Sequence, residues 1–195
     1  MSHYSWIVTL INFGFGGVDL GLPSGTIWAK CNVGASSPEE YGLYFSWGNV
    51  IGNTASAGAS YSTTPGNSLT TDIPSNSTYD AARKYLGGNY RMPTKEEMAE
   101  LFNSTYTQWS YVTVNDVNCH KIQSKVQGYT DNYILLPCGG YYDGTSGQAV
   151  GTIGFYWMST IRESPYSYCA NLQSGGVYPN HYNWRYNGCL IRGVY

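Results

Sequence analysis

Ionic charge is scarce in this chain. Asp, Glu, Lys and Arg make up 11% of its 195 residues, against about 25% in an average soluble domain. With 10 basic and 12 acidic residues the formal net charge is -2. That leaves no basic footprint for nucleic acid and no polybasic membrane patch. Long apolar runs are missing too. The longest, Trp6 to Val18, is broken by Thr9, Asn12 and three glycines, so it falls short of the roughly 20 apolar residues of a spanning helix. No basic residue precedes that run and no small-x-small site closes it, so it does not read as a secretory leader. Metal and thiol motifs are absent as well. The 5 cysteines, Cys31, Cys119, Cys138, Cys169 and Cys189, are odd in number, widely spaced and without a C-x-x-C. They read as mostly free thiols rather than a disulfide framework or a zinc site. The 3 histidines (His3, His120 and His181) share no ligand spacing, and neither a G-x-S-x-G elbow nor a phosphate-binding loop occurs. Gly14-Phe15-Gly16-Gly17 lacks the third glycine and the helix of a nucleotide fingerprint, and reads as strand or turn. The adjacent carboxylates Glu39-Glu40 and Glu96-Glu97 point in different directions and read as solvated helix starts. No cofactor, metal or catalytic residue is expected.

In place of charge the chain carries 24 Gly, 20 Tyr and 6 Trp, among many Ser, Thr and Asn. Its length suits one domain, 1–195, that hides roughly 70% of its unfolded surface. His3 to Asn12 alternates in period two and predicts a first strand. Asp19 to Val33 predicts a strand pair about a Pro23-Ser24-Gly25 turn. Gly52 to Asn76 is too polar to bury and predicts a long surface loop. Two helices follow. Thr78 is placed to cap Tyr79–Leu86 before Gly87, and Thr94 with Glu97 forms a capping box for a helix whose Met98, Leu101 and Phe102 share a face. Beyond Asn103 the pattern predicts short strands at Val112–Val117, His120–Ser124, Tyr133–Leu136, Phe155–Ser159, Tyr168–Leu172 and Leu190–Val194. Helices early and strands late make the fold class α+β, with two helices packed on mainly antiparallel strands and long irregular loops. Trp28, Trp47, Leu101, Phe102, Leu135, Trp157 and Ile191 are the expected core.

The stretch from Ile161 to Leu190 is unusual. It holds Tyr166, Tyr168, Tyr178, Tyr182, Tyr186 and Trp184 among four Asn, with only Arg162, Glu163 and Arg185 charged. Such a mixture builds a core poorly, because buried Tyr and Asn need polar partners. It builds a binding face well: rigid aromatics give contact area at low entropy cost, and Asn, Ser and Gly give adaptable hydrogen bonds. A Tyr-rich outer sheet face with aromatic cross-strand pairs is the plain structural alternative.

Several phrases carry a family resemblance. They are Val18-Asp19-Leu20-Gly21-Leu22-Pro23-Ser24-Gly25-Thr26, Trp28-Ala29-Lys30-Cys31-Asn32-Val33-Gly34-Ala35, Tyr44-Phe45-Ser46-Trp47-Gly48, Tyr90-Arg91-Met92-Pro93-Thr94-Lys95, Gly140-Tyr141-Tyr142-Asp143-Gly144, Tyr156-Trp157-Met158-Ser159-Thr160 and Gly188-Cys189-Leu190-Ile191-Arg192. Over nearly the whole chain after Gly17 the sequence resembles the Fibrobacter paralogous domain family of Bacteroidales and their phages. That family is similar to the C-type-lectin-like fold, and a subset looks like the variable proteins of diversity-generating retroelements, in which adenine-directed mutagenesis diversifies a C-terminal ligand-binding face. The resemblance implies a framework of Trp157, Ser159, Leu172, Gly188, Ile191 and Arg192 and a variable region of about 155–190. The implied ligand-binding residues are Ile161, Arg162, Pro165, Tyr166, Ser167, Asn171, Gln173, Tyr178, Asn180, His181, Tyr182, Asn183, Trp184, Tyr186 and Asn187. An Asn codon ending in a pyrimidine and mutated only at its adenines reaches most of these residue types. Gln173 and Trp184 need another template codon or stay fixed, and Cys169 and Cys189 would be accidents of diversification. Tyr178-Pro179-Asn180 lacks the carboxylate of calcium-dependent sugar lectins, so no calcium site is expected.

The expected function is a ligand-binding protein, not an enzyme, that displays this surface on a phage tail fibre tip or a bacterial cell surface. Its partner is a protein or glycan receptor on a target cell, with no nucleic acid and no membrane insertion, and with oligomerisation left open. The missing leader signal favours a virion. Two alternatives stand beside it: an undiversified adhesin or structural module of the same fold, and an enzyme like the formylglycine-generating oxidases, for which Cys169 and Cys189 are the candidate reactive pair. Tyr166, Tyr178, His181, Tyr182, Trp184 and Tyr186 are expected to form one exposed patch.

Overall fold

A computed structural model of the chain describes residues 16–54 and 65–195. The strand predicted at His3–Asn12 lies outside them, as does the middle of the predicted Gly52–Asn76 loop. Two short strands, β1 (Gly17–Asp19) and β2 (Ile27–Ala29), pair antiparallel about the predicted turn, where the Gly25 N–H donates to Leu22 O at 2.9 Å. A single 3-10 turn at Pro65–Ser68 interrupts the polar loop. Helices α1 (Ala81–Leu86) and α2 (Lys95–Leu101) come next. Strands β3 (Thr107–Val114), β4 (Val117–Ser124) and β5 (Tyr133–Pro137) form a three-stranded antiparallel sheet in that order. After a small ribbon of β6 (Tyr141–Asp143) and β7 (Ser146–Gln148), a second antiparallel sheet has the order β10-β9-β8. Its strands are β8 (Gly154–Ile161), β9 (Tyr166–Gln173) and β10 (Gly176–Trp184). Mostly antiparallel sheets with two helices make the class α+β.

Helix α2 starts where the chain predicts it. Thr94 accepts the Glu97 N–H and Glu97 accepts the Thr94 N–H, a complete capping box that satisfies two otherwise orphaned donors. Met98 and Leu101, three apart, are fully buried and lie with Ile122, Leu136, Met158 and Leu172 in one core cluster, against which Phe102 packs half-buried. Glu97 is no solvated helix start. It takes the Arg91 guanidinium, with Nη1 to Oε2 at 2.7 Å; burial pushes its carboxyl up, but Arg91 together with the Thr94 N–H and the Thr26 hydroxyl outweighs that and holds it below its ordinary value. Helix α1 is shorter than predicted, and its cap is Asp80 rather than Thr78. The Asp80 carboxylate accepts the Arg83 N–H at 3.0 Å and the Met92 N–H at 3.0 Å, so one buried side chain starts α1 and fastens the segment before α2.

Three strand predictions change. Val112–Val117 is not one strand but the tip of the β3–β4 hairpin, because Asn115 and Asp116 adopt φ of 47° and 63°, the pair of positive values that a two-residue type I′ turn requires. Leu190–Val194 is extended but forms only isolated bridges, to Tyr156, Trp28 and Arg91. Its end runs antiparallel beside β2, where Ile27 and Tyr195 exchange main-chain bonds at 3.0 Å and the Ala29 N–H donates to Gly193 O at 2.8 Å. Strand β10 was not predicted at all, since its polar, Pro-containing sequence carries no run of β-branched residues.

A second cluster joins Phe45, Trp47, Met92, Trp157, Cys169, Cys189 and Ile191. All five cysteines are free and buried. Cys169 and Cys189 are fully enclosed, which corrects their placement as accidents on a variable face. Arg192, also fully buried, spends its guanidinium on Asn32 Oδ1 at 2.9 Å and on the carbonyls of Ala29, Lys30 and Leu135. It ties β2 to β5, and desolvation lowers its pKa.

Candidate functional site

The β9–β10 hairpin presents the C-terminal aromatics. Tyr166 faces Trp184 across the ladder and Tyr168 faces Tyr182, so alternation sends these four side chains to one side of the sheet. Ser167 and Asn183, the pair between them, turn to the other side and are buried. The rings touch in series. His181 stacks on Tyr182 with centroids 5.6 Å apart, Tyr182 meets Tyr166 edge-on at 5.2 Å, Tyr166 meets Trp184 at 4.6 Å, and Trp184 meets Tyr186 at 5.5 Å. The Arg162 guanidinium lies 3.6 Å over the Tyr182 ring and reaches Glu163 at 3.1 Å. Despite these contacts Tyr182 and Trp184 remain 41% and 40% exposed, so the ladder offers apolar faces and polar edges to solvent at once. Burial and the neighbouring Arg162 lower the His181 pKa, keeping the ring neutral further into acid.

Beside this ladder lies an open cavity of about 510 Å³, lined by Leu69, Thr70, Ile161, Arg162, Glu163, Ser164, Tyr168 and Arg185. Lys95 at the start of α2 places its Nζ 4.3 Å over the Tyr168 ring. The edge of the cavity is fastened by Arg185, 1% exposed. Its Nε donates to Tyr166 O at 3.0 Å, one terminal nitrogen donates to Gly66 O and Leu69 O at 3.0 Å each, and the other donates to Arg162 O at 2.9 Å. Its plane sits 4.8 Å from the Trp47 ring. Gly66 comes so close to Trp47 that a Cβ on it would lie 2.1 Å from the Trp47 carbonyl oxygen. Only glycine at 66 fits against that carbonyl and so brings its own carbonyl to the guanidinium. The 66–69 loop, the 161–166 connection and β10 therefore meet on one side chain.

The predicted ligand-binding residues do not stay together. Arg162, Tyr166, His181, Tyr182, Trp184 and Tyr186 form the ladder, and Ile161 borders it through the cavity and by its N–H bond to Asp72 at 2.8 Å. Pro165 is half-buried in the same connection, its carbonyl accepting the Arg185 N–H at 3.0 Å. Asn180 is exposed on β10. Ser167, Asn171, Asn183 and Asn187 are buried, which removes them from any contact surface. Asn187 donates to Asn183 Oδ1 at 2.7 Å, and Asn183 in turn reaches Cys189 Sγ at 3.7 Å, so these side chains brace the interior. Gln173, bonded to Asn171 at 3.1 Å, and Tyr178 lie at the far end of the hairpin, roughly 20 Å from Trp184 at about 3.3 Å per residue. One extra residue of β10 at the register shift between Tyr178 and His181 reverses the pleat. Tyr178 pairs with Asn171 and Tyr182 with Tyr168, so the Tyr178 ring leaves the face that carries Tyr166, Tyr182 and Trp184; His181, opposite Cys169, leaves it too and joins the ladder only through its ring contact with Tyr182. The single patch expected from the sequence is in fact one ladder plus one outlying tyrosine. Sequence reasoning missed Arg185, Tyr168 and Lys95. Arg185 carried a signal as one of three charges in a nearly uncharged stretch, and Tyr168 as one of its clustered tyrosines.

The implied framework residues Trp157, Ser159, Leu172, Ile191 and Arg192 are all buried. Burial pushes the Cys169 and Cys189 thiols well above their ordinary range, which works against the thiolate form. Among the described residues, no group of three or more His, Cys, Asp or Glu is arranged to hold a metal ion, and no helix is long and apolar enough to cross a membrane. No family model, no curated protein and no solved structure matches the chain.

Proposed function

We propose that this chain is a non-enzymatic ligand-binding protein of C-type-lectin-like fold, whose recognition surface is the aromatic ladder of Tyr166, Tyr182, Trp184 and Tyr186 with Arg162 and His181. The observation that carries this reading is the ladder itself: rings in contact in series at the surface, Tyr182 and Trp184 exposed and Tyr166, Tyr186 and His181 half-buried, braced by Arg185. Exposed aromatics on a rigid sheet lose little entropy when a ligand covers them. The partner is a protein or glycan receptor on a target cell surface, met from a phage tail fibre tip or a bacterial surface, as the family resemblance implies. Diversification then acts on the positions that reach solvent, with Asn180 and Tyr182 exposed and Ile161, Arg162, Pro165, Tyr166, His181 and Tyr186 half-buried. The burial of Ser167, Asn171, Asn183 and Asn187 favours a second reading, an undiversified adhesin, because changes there fall on the interior.

Two measurements test this. Tyr182→Ala and Trp184→Ala, assayed on intact bacterial cells and on an immobilised glycan panel, should each weaken attachment about 30-fold, the equivalent of roughly 2 kcal/mol for a central aromatic anchor. Unfolding free energy should stay within about 1 kcal/mol, as for exposed sites. Attachment unchanged in both variants would refute the ladder as recognition surface. Deep sequencing of the coding segment across a population separates the two readings: adenine-directed changes gathered at the codons of these solvent-reaching positions support diversification, and an invariant segment supports the adhesin.

A further inference from the structure

The two three-stranded sheets expose four outer edges, and three of them are closed. The β8 edge is covered, since Trp157 donates to Leu190 O at 2.9 Å, Ser159 donates to Pro93 O at 2.8 Å, and Ile73 donates to Ser159 O at 2.9 Å. The β10 edge carries Pro179 and the register shift, two devices that spoil strand addition. The β5 edge is occupied by Arg192 on Leu135 O and by the Tyr156 hydroxyl, which donates to Pro137 O at 2.7 Å.

The β3 edge has none of these protections. Thr107-Gln108-Trp109-Ser110-Tyr111-Val112-Thr113-Val114 contains no charge, no proline and no glycine, and its pairing with β4 runs without a register shift. Val114 and Val117 flank the two-residue turn and exchange bonds with each other, so alternation sends the main-chain groups of Thr107, Trp109, Tyr111 and Thr113 away from β4. Two bonds agree with that phase: Thr107 donates outward to Asn103 O at 3.0 Å, and Asn118, opposite Thr113, accepts from Cys138 on the far side of β4 at 2.8 Å. Among the described residues, nothing meets the outward N–H and C=O of Trp109, Tyr111 and Thr113.

These three residues are spaced symmetrically about Tyr111. We propose that β3 is a dimerisation edge on which a second copy of this chain adds its own β3 antiparallel, with Tyr111 opposite Tyr111 across a twofold axis. In that register Trp109 of each copy faces Thr113 of the other, and the three pairs exchange six main-chain hydrogen bonds. Gln108 then meets Val114, and Ser110 meets Val112. No like charges oppose each other anywhere along the strand, which is the condition for self-pairing that a charged edge fails. The two three-stranded sheets become one of six strands, joined away from the β8–β10 sheet that carries the ladder. Such a closed isologous contact limits assembly to two copies. Strand pairing alone buries less than the roughly 1,200–2,000 Å² of a stable interface, so the dimer forms in a concentration-dependent way.

Sedimentation velocity on the full chain tests this. The wild-type mass should rise from 21.5 kDa to about twice that between micromolar and millimolar loading. Thr113→Pro removes an N–H that β4 does not use, and Ser110→Lys brings two ammonium groups near the axis. Both variants should remain monomeric throughout while keeping the wild-type melting temperature. Amide exchange at Trp109, Tyr111 and Thr113 should slow with concentration in the wild type alone. A wild-type chain that stays monomeric at millimolar loading overturns the proposal. So does a dimer that survives Ser110→Lys, or one abolished instead by Asn180→Lys on the β10 edge.

Discussion

Arg185 is the side chain on which the candidate site most depends, and its removal has a calculable consequence. The guanidinium makes four hydrogen bonds to main-chain carbonyls, those of Tyr166, Gly66, Leu69 and Arg162, and among the described residues no carboxylate forms an ion pair with it. Hydrogen bonds to a charged group contribute about 1.5–3 kcal/mol each, a gross sum of roughly 6–12 kcal/mol. Desolvating the cation offsets several kcal/mol of that, and the lowered pKa of Arg185 has the same cause. Arg185→Ala reverses both effects and strands the carbonyls it leaves, which gives a net loss of about 3–5 kcal/mol. Arg185→Lys keeps the charge but offers a compact point donor instead of a planar fork, so it satisfies some of the carbonyls and loses about 2 kcal/mol. Urea unfolding read by tryptophan fluorescence measures both. For a chain of this size a 4 kcal/mol loss lowers the melting temperature by roughly 8–16 °C. Limited proteolysis should show the 66–69 loop cut first in Arg185→Ala, because two of the four bonds hold it. A loss below about 1 kcal/mol in the alanine variant, with the loop still protected, would refute the reasoning.

The thiols and the histidines supply three further tests. The double replacement of Cys169 and Cys189 by Ser should destabilise by about 2–3 kcal/mol, because each hydroxyl enters a closed apolar cluster; a neutral result in urea unfolding would show that they are exposed after all. A thiol reagent should consume none of the 5 cysteines in the native protein and all of them in guanidinium. Burial lowers the pKa of both His120 and His181 from the ordinary 6.5. Below about pH 6.5 the unfolded chain therefore binds more protons than the folded one, and stability falls as the pH drops through that value toward the folded pKa. Unfolding free energies that stay flat from pH 7.5 to 5.5 would contradict this.

Local chemistry was legible wherever neighbours in the chain satisfied one another. The Thr94 and Glu97 capping box, the turn at Pro23-Ser24-Gly25, the Met98 and Leu101 face and the buried tryptophans each rest on contacts within a few residues or on bulk apolarity. The α+β class followed from the order of those elements. A concentration of aromatics near the C-terminus was visible in composition alone. Which of them share a surface was not. Asp80 displaced Thr78 as helix cap because its second oxygen found the Met92 N–H twelve residues on. Leu190–Val194 failed to become a strand because its bridging partners come from distant segments. The extra residue in β10 turned Tyr178 off the ladder, and pairing with β9 sent Asn171 and Asn183 inward. Side-chain periodicity in one strand says only which residues alternate; which set meets solvent depends on the strand beside it and on where the register shifts. Arg185 depended still more on tertiary structure, since its four acceptors lie on two segments, 66–69 and 162–166, that only the fold brings together.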